Sequence, residues 1–280
     1  MKTNKKLKKI LLLSAFAILA LLLLACEIWK CELFNCDEDA YLTATRLIGA
    51  AIAFILIIYS SLGNVLKIRL RGLGRAVLFT LPCWLIAINN FPFIALITGE
   101  AQLSASAGKI ALYAFQCLCV GLFEELAFRG CIFLFALDGH RKSTFDLFLA
   151  IVISSAIFGA VHFVNVFAGA SIISVILQIG YSFLIGGMCS VVLMKTGCIW
   201  HCVLIHAVYN FCGGVVPTLG GGEIWNTPTV VLTVIVSLAV AAYVVVSLLR
   251  IDPKSLGYMF GEKSAKAETI TSYSDTIIEK

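Results

Sequence analysis

Charge is scarce in this chain. Asp, Glu, Lys and Arg make up 13 % of its 280 residues, against about 25 % in an ordinary soluble domain. With 60 % hydrophobic residues and a mean hydropathy of +0.99, that scarcity excludes a soluble globular protein. Other absences narrow the choice further. The 11 cysteines show no metal-binding spacing; Cys117 and Cys119, or Cys198 and Cys202, fall inside apolar runs, where cysteine acts as a small hydrophobe. There is no H-E-x-x-H motif, no phosphate-binding glycine loop and no internal repeat. The basic residues are dispersed without aromatic interleaving, which excludes a nucleic-acid partner in spite of a net charge of +5. The last residues form no lipidation motif, so the chain is not expected to be a prenylated substrate itself.

What is present is a series of apolar runs. A bilayer core of roughly 30 Å takes about 20 helical residues, and such runs recur at about 10–27, 46–63, 76–98, 109–137, 145–167, 171–194, 199–217 and 228–250. The expected fold is therefore an all-α, polytopic membrane protein of about eight transmembrane helices. Lys2, Lys5, Lys6, Lys8 and Lys9 precede the first run, and Lys67, Arg69, Arg71 and Arg75 fill the second loop. Arg141, Lys142, Lys195, Arg250 and Lys254 fall on the same side if the helices alternate, while Glu32, Asp37, Glu38, Asp39, Glu100 and Glu223 fall opposite. The positive-inside rule then places both termini in the cytoplasm. The first run, ending Leu23-Leu24-Ala25-Cys26, resembles a bacterial lipoprotein signal but is read as an uncleaved anchor, because seven more spans follow. Cys26, Cys31 and Cys36 are expected outside, and the polar residues 251–280 are expected to form a disordered cytoplasmic tail.

The stretch GLFEELAFRG at 121–130 puts three charges into the fourth run. Each costs about 2.5–3.5 kcal/mol at the centre of an inserting helix, whereas a Leu, Ile, Phe or Val returns only about 0.3–0.6. Such residues are functional candidates, because they must face the bundle interior or a wet cavity. Glu125 and Arg129, four apart with the acid first, share a face and are expected to form a structural ion pair. Glu124 is rotated by about 100° from Glu125, so it needs another partner. His162 in the fifth run, following Phe158 by four, and His206 with Asn210 in the seventh supply two imidazoles and an amide. A carboxylate beside an imidazole can take a proton from water, and a second imidazole with an amide can donate to a developing oxyanion; the chemistry is peptide-bond hydrolysis. The same residues, Glu124, His162 and His206, offer a ligand set for zinc or another divalent metal, so a metal-bound water is the alternative. His201 is read as interfacial, Gly186-Gly187 as a close helix contact and Gly220-Gly221-Gly222 as a loop.

These residues resemble the CPBP family of intramembrane proteases, which includes the type II CAAX prenyl endopeptidases and bacterial bacteriocin-processing and self-immunity (Abi) proteins. The family's EExxxR, FxxxH and HxxxN motifs read here as Glu124-Glu125-Leu-Ala-Phe-Arg129, Phe158-Gly-Ala-Val-His162 and His206-Ala-Val-Tyr-Asn210. The resemblance implies that Glu124 activates water together with His162, that His206 and Asn210 stabilise the oxyanion, and that Glu125, Arg129 and Phe158 brace and line the site. It leaves open the choice between a metalloendopeptidase and a metal-free mechanism.

The expected organisation is one transmembrane domain over 1–250, with a protease core at about 109–217. It would act in a bacterial cell membrane on a membrane-associated peptide or protein; a prenylated substrate is not expected. An ion-coupled transporter and a non-catalytic immunity or scaffold protein are the rival classes. One geometric difficulty stands: at about 1.5 Å per residue, His162 lies roughly 20 Å or more from the cytoplasmic start of its run and His206 only about 10 Å from its own. They meet only with tilt, a broken helix or a shifted helix boundary, beside a water-accessible cavity.

Overall fold

The structure, a computed structural model, describes residues 37–68 and 72–262 together with positions 11, 14, 15 and 18. Apart from those four positions, the first predicted span lies outside the described residues, as do Cys26, Cys31, Cys36 and residues 263–280.

Helix α1, Glu38–Tyr59, begins eight residues before the predicted 46. The reason is local: the Asp37 carboxylate accepts from the Asp39 and Ala40 N–H groups, and acidic side chains favour the positive end of a helix. Helix α2, Leu73–Asn89, stops well before the predicted 98. Pro92 has no N–H to continue the ladder and restricts Phe91, so the chain breaks and restarts as the short α3, Phe93–Thr98. A two-stranded antiparallel sheet follows, β1 at Ala101–Leu103 pairing with β2 at Gly220–Gly222. The glycine triplet is thus paired backbone.

Helix α4 runs Ala107–Glu125 and continues as a π-helix over Leu126–Phe133 with a last α-helical turn, Leu134–Leu137. Helix α5, Thr144–Val161, starts with a capping box between Ser143 and Asp146. It gives way at His162 to a 3-10 turn, His162–Val166. Helices α6, Ile172–Thr196, α7, Ile199–Leu219, and α8, Thr227–Leu249, lie within two residues of their predicted spans at every end.

Five of the described helices are long and apolar enough to cross a membrane: α1, α5 with its 3-10 extension, α6, α7 and α8. The protein is a multi-pass, all-α membrane protein. Helix α8 shows how lipid takes the place of a core, because Leu232, Ile235, Leu238 and Leu249 all point outward. Part of the segment expected to be disordered is ordered: Pro253–Phe260 form a 3-10 helix with Leu256 and Met259 buried. Tyr258 donates to the Met194 carbonyl at 3.0 Å, and Asn64 donates to the Tyr258 carbonyl at 3.1 Å. The apolar Leu256 and Met259, spaced for one helical face, outweigh the polar composition that pointed to disorder.

Candidate active site

The close approach of α4 and α7 assembles the site. A Cβ at Gly121 would lie 3.0 Å from the Val203 carbonyl oxygen and 3.1 Å from the Ala207 nitrogen, so any other residue would push the two backbones apart. Three residues on from Gly121 stands Glu124, which shares the cavity with His206 of α7.

Two carboxylates grip one ring. His206 Nδ1–H donates to Glu125 Oε1 at 2.7 Å, and Nε2 lies 3.3 Å from Glu124 Oε2, within ion-pair distance. Ionised carboxylates only accept, so the geometry suits an imidazolium, whose two N–H groups both donate. Arg129 closes the set: its Nη1 is 3.1 Å from Glu125 Oε1, with both side chains essentially inaccessible. With His206 protonated, two anions face two cations and the buried group is neutral, which is the arrangement that tolerates low dielectric.

The guanidinium makes no well-aligned hydrogen bond and instead rests over the Phe158 ring at 4.4 Å. Phe158 also meets the rings of His162 at 5.2 Å and His206 at 5.7 Å edge-on, and so packs against both imidazoles. Room for the guanidinium comes from Gly186, where a Cβ would lie 3.0 Å from Arg129 Nη2 and 2.9 Å from Ser155 Oγ.

His162 sits where α5 ends and the 3-10 turn begins, and it lines the same cavity as His206. Its Nδ1 contacts the Phe158 carbonyl at 3.0 Å; since a carbonyl only accepts, Nδ1–H donates to it, and Nε2 faces Ser182 Oγ at 3.4 Å. Asn210 lies one turn beyond His206 on α7. Glu124, His162, His206 and Asn210 all line one cavity of about 450 Å³, a size at which peptide segments and small ligands bind. The four residues singled out as catalytic candidates therefore come together around one space.

The metal alternative finds no such support in the donor geometry. Among the described residues, the group whose ligand atoms fall within 4.8 Å of one another is Glu125, Cys189 and Cys202, and not Glu124, His162 and His206. That group does not suit a cation either, because the Arg129 guanidinium already lies against Glu125 and Cys202 Sγ contacts the Cys189 carbonyl at 3.2 Å. The residues as placed do not fit a bound zinc.

Several cavity residues escape sequence reasoning. Gln116 is 6 % exposed and its amide nitrogen has no partner. With Val120 and Glu124 it forms an i, i+4, i+8 stripe of α4 along the cavity wall. Ser182 and Tyr181 of α6 and Tyr209 of α7 contribute as well. That i, i+4, i+8 spacing was the available signal for Gln116; the others had none.

Residues 106–212, just over a third of the chain, match the family model for Rce1-like proteins, the type II CAAX prenyl endopeptidases. Over this segment the chain is similar to the Rce1-like family. The segment holds all three motifs, while the cavity also draws Leu42, Asn90, Gly213, Gly214 and Trp225 from outside it. No curated protein matches the chain.

Proposed function

We propose that the protein is an intramembrane endopeptidase that hydrolyses a peptide bond in a membrane-associated peptide or protein with a glutamate-activated water. The observation that carries this reading is the His206 ring held between Glu124 and Glu125 at the wall of a cavity large enough for a peptide. Glu124, 15 % exposed and not paired to Arg129, is the base. It takes a proton from a water in the cavity as the water oxygen attacks the scissile carbonyl carbon.

The carbonyl oxygen then carries the negative charge. His206, anchored through Nδ1–H by Glu125, donates its Nε2–H to that oxyanion in place of Glu124, and Asn210 donates from the next turn of α7. Nε2 of a neutral His162 orients the water's second hydrogen. Collapse of the intermediate breaks the C–N bond, with the proton on Glu124 passing to the leaving nitrogen, which departs as an amine while the other product is a carboxylic acid. Arg129 holds the Glu125 carboxylate in place from outside the cavity, and Phe158 packs against both imidazoles while lining the cavity wall.

The test is cleavage of a membrane-peptide library by detergent-solubilised protein, comparing wild type with Glu124→Gln at matched folded yield, with and without chelator. General-base removal is expected to cost about 10²–10⁴-fold in rate. Cleavage that persists in Glu124→Gln would overturn the assignment of the base. Chelator-sensitive cleavage would overturn the metal-free mechanism. A wild type that cleaves nothing, with biological function intact in Glu124→Gln, would replace catalysis by a binding role.

A further inference from the structure

The cavity is lopsided. Its lining comes from Leu42 near the start of α1, Tyr113 and Gln116 in the first half of α4, Gly214 near the end of α7 and Trp225 just ahead of α8. No lining residue comes from 43–89, 126–157, 186–205 or 226–262. All the contributing ends belong to one side of the bundle, because successive helices alternate in direction. At that side Trp225 is 49 % exposed, so the cavity reaches the surface there. At the other side it is closed by the π-helical segment and the turn after it, where Phe133, Leu134 and Leu137 have no exposure at all.

The two sides differ in charge. Beyond the closed floor lie the bases Lys67, Arg75, Arg141, Lys142, Lys195, Arg250 and Lys254, outnumbering the acids Asp138, Asp146, Asp252 and Glu262. Around the open end lie the exposed Asp37, Asp39, Glu100 and Glu223, with Lys109 the exposed base. Lysine and arginine mark the cytoplasmic side of a membrane protein. The geometry points to a cavity that opens on the extracytoplasmic face and takes as substrate a peptide segment exposed on that face, either a translocated segment or one anchored in the outer leaflet.

A second observation says what enters. Gln116 stands between the mouth and Glu124, about 12 Å before Glu124 along α4 at 1.5 Å per residue. Its buried amide nitrogen has no partner in the protein. An orphan donor on the wall of a peptide-sized cavity costs stability unless an acceptor arrives, and a peptide carbonyl is that acceptor. An extended chain entering from the open end passes Gln116 first and presents a later peptide bond to Glu124. This inference rests on the proteolytic reading for the fate of the substrate, while the side of access stands on the lining and the charge.

The experiment separates the two. Trp225→Cys, Glu223→Cys and Lys142→Cys are made in a background with Cys26, Cys31 and Cys36 replaced by serine; the cysteines among the described residues are buried and free. Each is expressed in a bacterial inner membrane and treated with a membrane-impermeant maleimide. Positions 225 and 223 are expected to label in intact spheroplasts and position 142 only after permeabilisation; the reverse pattern overturns the inference whatever the protein's activity. A single-span peptide cleaved in a Glu124-dependent manner is then presented with its cut site on either face of sealed vesicles. Cleavage at least 10-fold faster from the extracytoplasmic face supports the inference, and equal or inner-face cleavage overturns it. Correct labelling with no Glu124-dependent cleavage on either face instead overturns the proteolytic reading and, with it, the assigned substrate.

Discussion

Replacing Arg129 by alanine tests the central electrostatic argument. The guanidinium is wholly buried, 3.1 Å from a Glu125 carboxylate with no exposure and stacked on Phe158 at 4.4 Å. Removing it leaves Glu125 buried beside Glu124, with His206 the sole cation against two carboxylates. Deleting one partner of a buried pair costs about 3–5 kcal/mol, with the lost ring contact adding up to about 2. At about 2–4 °C per kcal/mol, the pair alone corresponds to a fall of roughly 6–20 °C in melting temperature. The assay is thermal unfolding of detergent-purified protein, read with a thiol-reactive dye that reports the buried cysteines, alongside folded yield.

The same logic predicts that Arg129→Met with Glu125→Gln recovers more than half of the loss, because no uncompensated charge then remains. The double variant also leaves His206 Nδ1 an amide oxygen to donate to. An unchanged melting temperature in Arg129→Ala, or a double variant no more stable than the single one, would refute the claim that charge balance holds this site together.

Three further outcomes are expected. His206→Ala should abolish cleavage and also lower the melting temperature, since it leaves Glu125 without its 2.7 Å donor; retained activity would remove the oxyanion role. Gly121→Val should separate α4 from α7 and, by misplacing Glu124 against His206, lower kcat/KM by about 10²-fold; wild-type kinetics would mean that the helix spacing does not set the site. Gln116→Leu should raise KM for a peptide substrate by roughly 2- to 13-fold, the worth of about one hydrogen bond, with kcat nearly unchanged; a fall in kcat alone would place Gln116 outside the binding path.

The spans were legible because crossing hydrocarbon imposes length and apolarity on every helix, and α5 to α8 needed nothing more. Boundaries set by single residues were harder: the carboxylate of Asp37 extended α1 and Pro92 cut α2 short, both local effects that hydropathy averages away. The pairing of Glu125 with Arg129 was legible too, since four residues along a helix fix a shared face. That His206 engages both carboxylates was not, because the contact joins α4 to α7 across 81 positions and depends on Gly121 letting two backbones touch.

The sequence by itself determined the membrane class, the five described helices long and apolar enough to span it, and the residue types assembled for chemistry, because insertion energetics make each buried charge conspicuous. Tertiary structure alone decided which partner each charge has, that Phe158 packs against both imidazoles, and that Gln116 faces the cavity unpartnered. Those are properties of helix crossings a few ångströms wide. They follow from the packing of small residues between neighbouring helices, which no window along the chain reports.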